Sequence, residues 1–83
     1  MKKLLVPVEI EPLEEGGYLA ICEAIQGCHA EGETIAEALD NLEDVARILL
    51  ELRREDGLPP PEGLERLEPG AIIKAQVVVT VPE

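Results

Sequence analysis

The chain reads as an α+β two-layer sandwich: a three-stranded antiparallel meander leading into one long helix and a closing C-terminal strand, βββαβ. Three observations carry this reading. Period-two alternation runs through Lys3 to Glu11 and again through Ala71 to Val81, two short extended runs separated by turns lie between Tyr18 and Glu31, and an apolar stripe of helical period begins at Ile35. With 83 residues the chain makes one domain with a thin core. Self-association, as a dimer or tetramer, is therefore expected.

In the first strand Leu4, Val6, Val8 and Ile10 point one way and Lys3, Pro7, Glu9 and Glu11 the other, so one face is buried. Pro7 lacks an N–H, which places this strand at a sheet edge or turns that position outward from the ladder. The run Pro12 to Gly17 is the hairpin turn, after which Tyr18 to Glu23 pairs back on the first strand. Gly27 marks the next turn, and Cys28 to Glu31 is a short third strand.

Thr34 stands three residues before Glu37, the spacing of a capping box: the Thr hydroxyl accepts from the Glu37 N–H and the Glu carboxylate reaches back to the Thr34 N–H. The helix then carries Ile35, Ala38, Leu39, Leu42, Val45, Ala46 and Leu49 on one side and Glu37, Asp40, Asn41, Asp44, Arg47 and Glu51 on the other. Gly57 is the expected C-cap, and Pro59, Pro60 and Pro61 keep the helix from resuming. Residues 59–70 form a polar connector with one helical turn around Leu64 to Leu67. From Ala71 to Val81 the alternation predicts the longest strand of the protein, paired within the sheet or across a subunit interface, because such an apolar strand left open invites aggregation.

Eighteen acids against seven bases give a formal net charge of −11. Such a surface repels a phosphate backbone and steers a basic protein toward itself, so direct nucleic-acid binding is not expected. Tyr18 is the only aromatic residue, which removes the stacking platforms that single-stranded nucleic acid needs. The N-terminal apolar run is broken by Pro7 and Glu9 too early for a signal peptide, and no stretch reaches transmembrane length. The expectation is a cytoplasmic protein without membrane contact.

Catalytic and metal-binding patterns are weak. Cys22 and Cys28 are too few for a disulfide framework and too far apart in sequence for a zinc pair, and read as small buried thiols. Cys28 and the single histidine, His29, are strand neighbours and so face opposite ways. Glu9, Glu23, Glu31 and Asp40 are the acids from which a Mg²⁺-dependent nuclease site would have to be built, but acids are too plentiful here for their presence to count. No phosphate-cradling loop is present, since Gly16 and Gly17 sit in a hairpin and Gly32 opens an acid-rich helix. The chain's own chemistry therefore reads as a binding domain, with no catalytic residues, metal or cofactor.

The run Gly17-Tyr18-Leu19-Ala20, then Gly27-Cys28, Gly32, Thr34, Glu37-Ala38 and Asn41, resembles the HicB-type antitoxin domain, whose members carry a G-Y-x-A strand, a P-G-C turn and a G-x-T-x-x-E-A helix start. The resemblance covers Leu4 to Leu52, with residues 71–81 in the place of the family's closing strand. Gln26 departs from the family's usual proline. The resemblance implies a degenerate ribonuclease-H-like fold without catalysis, which neutralises a small basic mRNA-cleaving toxin of the HicA type. Tyr18, Gly27, Cys28, Gly32, Thr34 and Glu37 are the fold motif. Many members continue into a DNA-binding segment after the closing strand; this chain is read as a single domain, 1–83, with none appended. For partner binding the expected residues are Glu37, Asp40, Asp44 and Glu51 on the exposed helix face, which the family motif does not assign. The competing readings are an orphan oligomeric module without a toxin, and a weak metal-dependent nuclease.

Overall fold

A computed structural model describes residues 2–82. Its elements are β1 (Leu4–Leu5), β2 (Glu9–Pro12), β3 (Tyr18–Cys22), β4 (Cys28–Gly32), α1 (Ile35–Glu55) and β5 (Glu65–Arg66). The fold is α+β. Strands β2, β3 and β4 form an antiparallel sheet in that order, and β5 pairs antiparallel with β1 in a separate two-stranded ladder.

The expected first strand is split around Pro7 into β1 and β2, as a residue without an N–H dictates. Leu13 and Gly16 close the first hairpin, with Leu13 N–H donating to Gly17 O at 3.0 Å and Gly16 N–H to Leu13 O at 3.0 Å. In the sheet Ala20 lies between Ile10 and Ala30, and Cys22 faces Cys28 across the ladder. The turn between β3 and β4 folds Ile25 inward to 3% exposure, a core residue the periodicity did not mark.

Only half of the predicted capping box forms among the described residues. Thr34 has extended backbone, and its hydroxyl accepts from the Glu37 N–H at 3.0 Å; the return contact from the Glu37 carboxylate is not made. At the other end Gly57, at φ +73°, takes the left-handed position. Its N–H donates to Arg54 O and that of Leu58 to Arg53 O, the two bonds of a Schellman ending. Arg53 then holds the outgoing loop by donating from Nε and Nη2 to Pro59 O at 3.0 and 2.8 Å.

The helix lies over β3 and β4. The core is Ala20, Cys22, Ile25, Cys28, Ala38, Leu42 and Ala46, so mostly small side chains separate the layers. Of the predicted stripe, Ala38, Leu42 and Ala46 are buried, Ile35, Val45 and Leu49 are half-buried, and Leu39 is exposed.

The C-terminal third corrects two expectations. In place of a helical turn around Leu64 to Leu67, Glu65–Arg66 form β5, and Leu67 N–H continues the pairing to Lys3 O at 2.8 Å. The closing strand is thus this short one. Residues 71–81 are in no strand, and every one of them is exposed. A strand exists by its hydrogen bonds to a neighbour, and within one chain this segment meets none.

Candidate functional site

The four acids expected to bind a partner lie on one exposed helix face. Glu37, Asp40, Asp44 and Glu51 are three, four and seven residues apart, which places them within about 60° of arc on a 3.6-residue helix. Asp44 is not a free acid: its carboxylate accepts from Arg47, which also lies 3.9 Å from Glu43. All three side chains are solvent-exposed, so this network contributes little to stability and locally cancels charge. That leaves Glu37 and Asp40 at the helix start and Glu51 toward its end as the unpaired acids of the line among the described residues. Beside them Ile48 and Leu52, one turn apart, are about half exposed at 55% and 50%. An apolar ledge therefore borders the acidic line.

Glu37 also belongs to a second feature that the sequence did not bring together. The first hairpin turn and the start of α1 enclose an open notch lined by Leu13, Glu15, Gly16, Gly17, Glu31, Gly32, Glu33 and Glu37. Four carboxylates thus surround one hollow. Two glycines make this closeness possible: a Cβ on Gly17 would lie 2.8 Å from Gly32 O, and one on Gly32 would lie 2.3 Å from Ala38 N. The signal was present as the motif glycines, but which acids they would draw together depends on tertiary contact.

The motif residues serve the same junction. Tyr18 pairs in register with Gly32, Thr34 caps α1, and Gly27, at φ +79°, takes the left-handed position in the turn before β4. Asn41 donates from its side chain to Glu31 O at 2.8 Å, tying α1 to β4. Cys28 is buried beside Cys22, and both are free thiols. Burial first, and the neighbouring Cys22 second, push the Cys28 thiol above its ordinary pKa, so it is a protonated packing group. His29 projects outward from β4, away from both thiols.

The acids of the nuclease reading are not gathered. Glu9 lies on β2, Glu23 in the β3–β4 turn, Glu31 on β4 and Asp40 on the outer side of α1, and no trio of candidate ligands among the described residues is placed to hold a metal ion. No helix among them is long and apolar enough to cross a membrane.

Three cyanobacterial proteins are similar to this chain. The UPF0150 protein ssl0738 of Synechocystis is 47% identical over 53 residues, which cover 60% of this chain and 74% of the relative. The UPF0150 protein ssr1765 of the same organism is 33% identical over 55 residues, covering 66% and 70%. A third, the UPF0150 protein ssl0259, is 44% identical over 45 residues, covering 54% and 62%. No protein-family profile matches the chain.

Proposed function

The chain belongs to the UPF0150 family, and from that premise we propose that it acts as a HicB-like antitoxin, a non-catalytic domain that covers the basic surface of a small mRNA-cleaving HicA-type toxin. The observation that carries this reading is the acidic junction at the start of α1. There Glu37 joins the helix-face acids to the notch acids Glu15, Glu31 and Glu33, on a chain whose net charge is −11. A surface of that sign attracts a cationic protein face over several ångströms and discourages RNA from the same site. The ledge of Ile48 and Leu52 supplies apolar area next to the charge, which a stable interface needs in addition to steering. On this reading the protein works in the cytoplasm, where its toxin cleaves mRNA.

The test is a search for a small basic reading frame beside the gene and co-expression with its product, scored for a purified complex and for rescue of growth. Glu37→Lys with Asp40→Lys in the intact chain should lower affinity roughly tenfold or more at low salt and flatten its salt dependence. A toxin-like neighbour that neither binds nor is neutralised would overturn the reading.

A further inference from the structure

We propose that residues 71–81 form an arm that adds as a strand to the open β2 edge of a second copy of this chain. This inference does not depend on the toxin reading.

The arm is built like a buried strand and is not buried. Ala71, Ile73, Ala75, Val77, Val79 and Val81 make one wholly apolar face, yet Val77 is 84% and Val79 71% exposed. At about 3.3 Å per residue the eleven residues span roughly 36 Å when extended. The molecule shows this length: its radius of gyration is 14.5 Å, with extents of 51 × 32 × 17 Å, where a compact chain of this size has about 12 Å. A monomer that leaves so much β-branched apolar surface in water is incomplete.

The two edges of the main sheet are not equivalent receivers. On β4, α1 lies alongside, and the Asn41 side chain already occupies Glu31 O. On β2 the outer edge has no partner among the described residues. The helix covers β3 and β4 and leaves the helix-side face of β2 partly open, where Ile10 is 37% exposed.

Alternation then sets the orientation of the added strand. Ile10 shares its sheet face with Ala20, while Glu9 and Glu11 point to the other face, opposite Ile21 and Leu19. An arm with its apolar face on the Ile10 side extends the core beneath the free flank of α1. The same pleat puts Lys74, the arm's only charged residue, on the side of Glu9 and Glu11. All eighteen acids lie outside residues 71–81, so the arm, which lies in the longest acid-free run of the chain, can enter an acidic neighbour without like-charge repulsion.

In the 83-residue chain, sedimentation at micromolar concentration should show a dimer or higher species, and the arm amides should be protected from hydrogen exchange in a concentration-dependent way. Val77→Pro with Val78→Pro, neighbours of which one must aim its N–H at the receiving edge, should shift the protein to monomer at least tenfold more readily while the helical circular dichroism is retained. Ile10→Lys on the receiving edge should do the same. A wild-type monomer at 100 µM, whether its arm amides are protected or not, overturns the proposal, as does an arm-proline variant that associates like the wild type. Protected arm amides in that monomer would assign the arm to its own chain, and unprotected ones to some other partner.

Discussion

Residues 3–11 and residues 71–81 carry the same period-two alternation, yet the first stretch forms β1 and β2 and the second forms no strand at all. Propensity does not separate them, since the second is richer in β-branched residues and has no proline. The difference is the neighbour. Glu9 to Pro12 are followed at once by a glycine hairpin that brings Tyr18 to Cys22 back alongside. Residues 71–81 come after the chain has turned at Glu68 to Ala71, with β5 already holding the outer edge at Leu4 and Leu5. Alternation states which face of a segment wants burial; it does not supply the hydrogen-bonding partner.

That contrast implies that stability of the isolated chain resides in the meander and α1, and the substitutions with the largest effects should all lie there. Leu42→Ala removes the larger buried side chain of the helix from a core otherwise made mostly of small residues, and should cost about 3 kcal/mol in urea unfolding at submicromolar concentration. Gly32→Ala forces a Cβ to within 2.3 Å of a backbone nitrogen. Backbone cannot rotate away as a side chain can, so a loss of about 2 kcal/mol is expected. Thr34→Ala removes the one side-chain cap at the start of α1 and should cost about 1 kcal/mol. Val79→Ser in the arm should change the same monomeric transition by less than about 0.5 kcal/mol, because an exposed side chain leaves no cavity. An arm effect as large as that of Leu42 at these concentrations would show that the arm is packed on its own chain.

The parts of the fold legible in the sequence are those whose cause is local. A hydroxyl three residues before a glutamate, a glycine after the last apolar turn and paired alternating runs around a Gly-Gly turn each act over a few residues, and each is present in the structure. What was not legible depends on distant contact. Glu65 and Arg66 carry no apolar pattern and become a strand only because β1 offers an edge. Ile25 is one apolar residue in a turn, and nothing in its neighbours signals that it closes the core. For the candidate site, the helix-face acids followed from the 3.6-residue period. The notch did not, because Glu15 reaches Glu37 only through the close approach of Gly17 and Gly32. Asp44 looked equivalent to Asp40 in sequence and differs because Arg47 folds back onto it.

The smallest expected effect also belongs to the meander and comes from the buried Cys22 and Cys28 pair. The folded chain holds the Cys28 proton more tightly than the unfolded chain does, because burial penalises the thiolate and Cys22 would add like charge. The unfolded state therefore loses this proton first as pH rises through the ordinary thiol range. Stability is full below that range and declines through it, until the folded thiol also ionises. Urea midpoints measured under reducing conditions between pH 7 and pH 10 should fall with pH, and Cys28→Ala should remove part of that slope while lowering the pH 7 midpoint a little, as the loss of one small core side chain requires. An unchanged slope would mean that Cys28 meets water in the folded state, and the boundary between a packed meander and an exposed arm would then need redrawing on the β4 side.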